Sequence, residues 1–349
     1  MLFAKKKDIV GVDIGSSAVK LVQLRELKGG YQLQNVGILP LPAETIVDNT
    51  LMDSSSVVET VRNLLASLDV TAKEAACSIS GNAVIIRKIS LPYMPAEELE
   101  DQIHWEAEQY IPFDINDVNV DFQILSPDEQ DPSKMNVLLV ASKKDIINDY
   151  LAVFAEAGLK LVVVDVDSFA VQSAYETNYG YGSEVVALVN IGASIMNLNI
   201  VREGVSLFTR DVQMGGSLYT EEIQKQFGLD AEQAELRKLN AAGSEDSRLM
   251  EILQRVNETI SLEMRRSLDF YNSTAGEDRI TKVFLSGGAA KTALLVETVQ
   301  QKLSLPVEIL DPFLHVAVNE KEFDLEFLAE IGPLVTVALG LATRRLGDK

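Results

Sequence analysis

The apolar positions of this chain change period several times, and each change marks an element. An apolar run begins at Ile9, is interrupted by Asp13-Ile-Gly-Ser-Ser17, and resumes to about Leu24. That pattern predicts two strands joined by a tight turn, and Tyr31–Leu39 after Gly29-Gly30 predicts the third strand of an antiparallel meander. From Val57 to Leu68 the period becomes helical. Val57, Val58, Val61, Leu64, Leu65 and Leu68 form one stripe, with Ser54–Ser56 available as a cap.

The texture then alters. Strands are expected over 75–80, 83–91, 118–125 and 135–141, with helices over 95–110 and 145–157. Ser126–Ser133, polar and bounded by prolines, reads as a surface loop. Residues 82–159 thus read as an α+β insertion within the first half. A second meander follows at 185–190, 195–201 and 205–211. Helices are expected over 216–227, 231–239 and 247–271, then a strand over 282–285 and a helix over 290–303. A small-residue helix over 333–345 ends the chain.

The two meanders open with the same shape. Asp13-Ile-Gly15-Ser16-Ser17 in the first is matched 177 positions later by Asn190-Ile-Gly192-Ala193-Ser194. One such turn is compatible with an ordinary hairpin tip. Two, at matching places in two halves, favour a shared ligand, and tips of Gly and small residues let backbone N–H groups approach a phosphate chain. Asp13 could hold Mg²⁺ through water, and Lys20 on the return strand could reach a phosphate. Gly215-Gly216 and Gly287-Gly288-Ala289 each lead into a helix, where a phosphate or flat ring can approach; either could also be a plain connection.

Composition narrows the partners. The 349 residues carry a net charge of −21, which disfavours nucleic acid and anionic lipid surfaces. The single cysteine, Cys77, lies in an apolar run, which excludes a disulfide within the chain and fits a reducing cytoplasm. His104 and His315 lack metal-ligand spacing. No run of 18 or more apolar residues is present, so no transmembrane helix is expected. Lys5–Lys7 read as a solvated lead-in, not a signal peptide.

Together these motifs resemble the actin-like ATPase superfamily of actin, sugar kinases and heat-shock chaperone ATPases. Asp13–Lys20 is similar to its first phosphate motif and Asn190–Ser194 to its second. Asp165–Ala170 is similar to the first connecting motif, Val283–Ala290 to the adenosine motif, and Gly332, Ala338, Gly340 and Ala342 to the second connecting motif. Ala234-Glu235-Leu236-Arg237-Lys238 matches the stretch by which bacterial actins contact the ribose or base, although a solvated helix face would look the same.

The resemblance implies an α/β, actin-like ATPase fold of duplicated ribonuclease-H-like halves with an FtsA-type 1C insertion. The expected boundaries are 1–81, 160–180 and 328–349 for the first half (1A), 82–159 for the insertion, and 181–327 for the second half, with 2B at about 217–278. It also implies ATP and Mg²⁺ as ligands.

Within the superfamily, Ile9–Lys20, Asp101–Phe113, Val163–Ala170 and Leu339–Arg344 resemble the PilM family of type IV pilus assembly. The implied partner is the cytoplasmic N-terminal segment of a PilN-like inner-membrane protein. Pilus motor ATPases, the platform protein and self-association are further implied contacts. The implied location is cytoplasmic, peripheral at the inner membrane through a partner. Candidate groove residues are Ile85, Arg87, Pro92, Trp105, Tyr110, Ile111 and Phe113; core packing is the competing explanation and is expected for at least two of the aromatic and aliphatic ones.

Two departures weaken the case for fast hydrolysis. The second motif begins with Asn190 where the superfamily usually has Asp, and the water-orienting position is taken by the shorter Asp167. The expectation is a nucleotide-binding scaffold with at most slow ATPase activity. The alternatives are a small-molecule kinase, which substrate-stimulated ATP consumption would favour, and an FtsA-like division protein, which nucleotide-dependent filaments would favour.

Overall fold

A computed structural model describes residues 9–47, 49–127, 131–276 and 278–348. The lead-in Lys5–Lys7 and Asp128–Gln130 of the polar loop lie outside them. The first meander is β1 (Ile9–Ile14), β2 (Ala18–Leu27) and β3 (Gly30–Pro40), followed by a short pair, β4 (Ile46–Val47) and β5 (Thr50–Leu51). Helix α1 (Ser54–Ser67) leads to β6 (Glu74–Ile79). The insertion contributes β7 (Val84–Pro92), α2 (Ala96–Ala107), β8 (Val118–Pro127) and β9 (Lys134–Lys143). Then come α3 (Lys144–Ala157), β10 (Lys160–Val166) and α4 (Asp167–Tyr179).

The second half holds β11 (Val185–Ile191), β12 (Met196–Arg202), β13 (Val205–Val212), α5 (Ser217–Phe227), α6 (Ala231–Leu239) and α7 (Ser247–Thr274). It continues with β14 (Ile280–Ser286), α8 (Leu295–Leu303) and β15 (Val307–Ile309). The chain then returns to the first half with β16 (Val316–Ala317), α9 (Leu325–Ile331) and α10 (Thr336–Thr343).

The duplication is written in the sheet order. One sheet runs β10-β6-β1-β2-β3-β16 and the other β13-β12-β11-β14-β15. Starting from β1 or β11, each has an antiparallel hairpin pair on one side and two parallel strands on the other. All six residues of β1 and all seven of β11 are buried. That explains their continuous apolar runs, because a strand covered on both faces has no polar side to alternate with. Val10, Val12 and Ile14 face the cluster of α1 and α3. On the other side, a Cβ at Gly11 would run into the backbone of Ala338 and Ala342, so α10 lies directly on the strand.

Several expectations change. The α1 cap is Asp53, which accepts from Ser56 N–H and the hydroxyls of Ser55 and Ser56; those bonds to the charged form lower its pKa to about 2. The 290–303 helix breaks. Gly288–Lys291 is a 3-10 turn, Leu294 is left-handed, and the Ala293 carbonyl accepts from Asn257 Nδ2 at 3.0 Å, not from the next helical turn.

The segment 82–159 also divides. Strands β7, β9 and β8 form a separate three-stranded sheet under α2. Tyr150, Val153 and Phe154 of α3 instead join the core of the first half.

Leu325–Thr343 has the length and apolarity of a membrane-crossing helix, contrary to expectation, but 67% of it is buried. It is broken by the 3-10 turn Gly332–Val335 and packs on β1, β2 and α4, so it serves as a core element.

Candidate functional site

The two hairpins close with the same geometry. Gly15 N–H donates to Ala18 O at 3.1 Å, and Gly192 N–H to Ile195 O at 2.9 Å. Asp13 then faces Lys20 across the first hairpin and Asn190 faces Asn197 across the second. The tips meet. Ser16 Oγ and Ser194 Oγ are hydrogen-bonded at 2.8 Å. Behind them lies a narrow cavity of about 80 Å³, reached by Asp13, Gly15–Ser17, Lys20, Asp167, Asn190 and Gly192–Ser194.

Lys20 Nζ pairs with Asp13 Oδ2 at 3.1 Å, so the proposed phosphate cation and metal carboxylate neutralise one another. A Cβ at Gly15 would sit 2.5 Å from that ammonium, so a larger residue at this tip would displace the lysine. Asp167, in the first turn of α4, accepts from Ser78 Oγ at 2.6 Å. Burial, reinforced by the Asp13 charge, pushes its pKa up to about 7, against the lowering effect of the Ser78 and Ser80 hydroxyls. Among the described residues no three His, Cys, Asp or Glu side chains cluster as a ready-made metal site. A carboxylate that the cavity does offer, Asp13, is a ligand type that Mg²⁺ takes alongside phosphate oxygens and water.

Asn190 is held at both ends of its amide. Its Nδ2 donates to Asn197 Oδ1 at 3.0 Å, and its Oδ1 accepts from Ser286 Oγ at 3.3 Å. Asn197 Nδ2 donates in turn to Asp211 Oδ1 at 2.9 Å, and Asp211 Oδ2 accepts the Gly81 N–H at 2.5 Å. The chain of bonds therefore runs from β14 across the second sheet to the first half. Burial raises the pKa of Asp211, opposed by its bonds to Asn197 and Gly81.

The remaining glycines divide by role. A Cβ at Gly215 would strike the Gly192 and Ala193 carbonyls, and one at Gly287 (φ 87°) the backbone of Ile191. Gly215 and Gly287 thus seat the second hairpin. Gly216 N–H and Ser217 N–H donate to Gly192 O and Ala193 O, both at 2.8 Å, which fixes the tip. A Cβ at Gly288 would meet only Leu334 at 3.9 Å, leaving an open face, while Ala289 is core.

Beside Gly216, Lys238 Nζ pairs with Glu235 Oε1 at 2.7 Å, and Glu235 Oε2 accepts from Thr220 Oγ1 at 2.6 Å. The Lys238 side chain is 8% exposed and its ammonium lies 3.5 Å from where a Gly216 Cβ would be. Arg237, between them, points away to Asp246 and Phe227.

The candidate groove residues do not converge. Ile111 is core. Trp105 is 79% exposed on α2, Pro92 is exposed at the end of β7, and Tyr110 and Phe113 are partly exposed beyond α2; Phe113 lies under Lys143 Nζ at 4.3 Å. Ile85 and Arg87 line a different cleft, against β13. The physical reason is that α2 uses Leu99, Ile103 and Ala107 to cover the insertion sheet, turning Trp105 outward. A groove of about 410 Å³ lies elsewhere, between β8 and β9 of the insertion and β10 and α4 of the first half. Gln123, Val140, Val164, Phe169 and Arg344 line it, and Arg344 pairs with the buried Asp165 at 2.8 Å.

Sequence reasoning also missed Ser78, Tyr150, Asn197 and Asp211. The hairpin register alone would have placed Asn197 opposite Asn190. Asp211 is harder: counting back from the Glu203-Gly204 turn puts Arg210 opposite Asn197, and the bulge after Ile200 shifts the ladder by one.

The family model described as type IV pilus assembly protein PilM matches residues 11–346. A solved PilM-PilN type IV pilus biogenesis complex contains a chain 30% identical to this one, with a TM-score of 0.88 over 99% of this chain and 100% of that one. Cell division protein FtsA of Bacillus subtilis is 24% identical over 253 residues, 65% of this chain and 56% of FtsA, so the match spans little more than half of that relative. MreB5 of Spiroplasma citri, solved bound to AMPPNP, shares the fold at a TM-score of 0.53 and 11% identity, over 96% of this chain and 95% of that one.

Proposed function

Because the chain belongs to the PilM family of type IV pilus assembly proteins, we propose that it is an ATP-binding scaffold of the pilus inner-membrane platform. The observation that carries the nucleotide reading is the pair of matched hairpin tips, joined by Ser16 and Ser194 over a cavity lined by Asp13 and Lys20. The cavity is sized for the end of a phosphate chain. The nucleoside would lie at the open face of Gly288, near Gly216, Lys238 and Glu235. Asp13 would hold Mg²⁺ through water, and the metal would neutralise phosphate charge. Asp167, shorter than the acid that usually orients water at this position, fits at most slow hydrolysis.

On this reading the 1C-like insertion ends with β9, α3 packs in subdomain 1A with residues 160–180 and 328–349, and the second half runs from 181 through β15 with 2B at 217–278, since β16 joins the first sheet. The groove between β8, β9, β10 and α4 would take the extended N-terminal segment of a PilN-like protein, replacing the scattered candidates on β7 and α2. That contact would place a cytoplasmic protein at the inner membrane. Motor ATPases and the platform protein are further proposed partners.

The test is titration of the full chain with a labelled PilN-like N-terminal peptide, with and without Mg-ATP. Saturable binding weakened about tenfold by Phe169→Ala is expected. No binding by the unaltered chain would sink the partner reading.

A further inference from the structure

Tyr150 is the residue of the cavity wall that the site described so far leaves without a task. It comes from α3, is 6% exposed, and reaches the cavity that Asp13, Ser16, Ser80 and Asp167 also line. Among the described residues its hydroxyl has no hydrogen-bond partner. Tyrosine hydroxyls on so buried a side chain ordinarily find one; this one is not among the fully enclosed unpartnered atoms, so it is reached from the cavity. Burial, then Cys77, Asp167 and Asp13, raise the phenol's pKa further above its usual value, so the group is a proton donor at physiological pH. A donor aimed into a cavity that holds two carboxylates and a lysine already paired to one of them suits an anion with several oxygens.

The helix that carries it is wired to the insertion. β9 ends at Lys143 and α3 begins at Lys144, with no loop between. Lys144 Nζ donates to Asn116 O at 2.6 Å, and Lys143 Nζ sits over Phe113, so the junction is also held by the 113–116 segment. At its other end α3 is fixed to α1, where Arg62 Nε donates to Glu156 O at 3.2 Å, and Val153 and Phe154 are fully packed. A displacement of Tyr150 therefore moves the base of the insertion's central strand.

Resting on the nucleotide reading above, we propose that Tyr150 is the residue through which the phosphate end of the bound nucleotide is read. Its hydroxyl donates to a phosphate oxygen, and α3 carries the consequence to β9 and the insertion. ATP would thereby set the shape of the insertion side of the peptide groove, where Val140 of β9 lies.

The experiment compares the full chain with Tyr150→Phe, which keeps the ring and its packing. Mg-ATP affinity is measured by calorimetry, and backbone hydrogen exchange over 134–157 with and without saturating Mg-ATP. A bond to a charged oxygen predicts a Kd raised about 10- to 100-fold, and ATP-dependent protection of α3 and β9 that is lost in the variant. An unchanged Kd, or protection that survives in Tyr150→Phe, overturns the proposal. Exchange on the unaltered chain needs no variant: Mg-ATP that binds without protecting 144–157 overturns it as well. Failure of the unaltered chain to bind Mg-ATP overturns the nucleotide reading itself, a distinct result.

Discussion

Ser16 Oγ and Ser194 Oγ, 178 residues apart, share a hydrogen bond of 2.8 Å where the hairpin tips of the two halves meet. If the bond exists only as a pair, its two ends are not additive. Ser16→Ala and Ser194→Ala should each lower stability to urea by about 1 kcal/mol, and the double variant by no more than either alone. Additive losses would show that the hydroxyls act on separate neighbours.

Asp167 should make stability fall as pH rises. Its folded pKa of about 7 lies above the unfolded value of 3.8. Between those values the folded state keeps a proton that the unfolded state has released, so the contribution is lost from pH 4 to 7 and is flat above. Asp167→Asn, which keeps an acceptor for Ser78, should be more stable than the parent by about 2 kcal/mol at pH 8. The difference should shrink towards pH 5. Urea unfolding of both proteins at the two pH values measures it, and a constant difference would count against the shift.

Asn190→Asp would restore the acid that the superfamily favours, at a cost to the fold. Asn190 supplies the donor that faces Asn197 Oδ1. A carboxylate there leaves two acceptors opposed, within a bond chain that already ends on Asp211. The variant should lose about 2 kcal/mol at pH 8 and recover part of it at pH 5, where a protonated carboxyl can donate. Equal stability at pH 8 would mean that the network rearranges freely.

Asp13→Asn should weaken Mg²⁺-dependent ATP binding by about tenfold while the fold survives, because Lys20 keeps an amide oxygen as partner. Calorimetry with and without Mg²⁺ separates the metal effect from a general loss of affinity. Affinity unchanged in Mg²⁺ would remove Asp13 from the site.

Gly340→Val should be the most damaging of these changes. A Cβ at Gly340 would lie on the carbonyl of Ala170, where α10 crosses α4. A backbone cannot step aside as a flexible side chain can, so a loss of about 3 kcal/mol or more is expected. Thermal melting of the soluble fraction checks it.

The parts of this site visible in the sequence are those fixed by short-range geometry. Each turn has glycine at the same place between apolar runs, so the hairpins and the Asp13–Lys20 pairing follow from counting. Helix α4 was less legible: Ser168, Ala170, Val171, Gln172, Ala174 and Asn178 are all buried, and no polar face reveals its period. Asp211 hides behind a one-residue bulge, which no local propensity announces. Tyr150 reads as one more position of an amphipathic helix until the tertiary packing turns its hydroxyl into the cavity. The candidates around Trp105 scatter because α2 ends at Ala107, which leaves Tyr110 and Phe113 beyond the helix that turns Trp105 outward.

The seating of α10 on Gly11 also bears on how the molecule is made. Strand β1 precedes residues 338–342 by almost the whole of the described chain, yet one of its faces is covered by them. Until those emerge from the ribosome the first sheet has an open apolar side and the longest-range contacts in the chain are unmade. The second sheet lies under the same helix, since Val186, Leu188 and Phe284 share a cluster with Val337 and Leu341 of α10. Both halves therefore wait for one segment, and α10 closes them together.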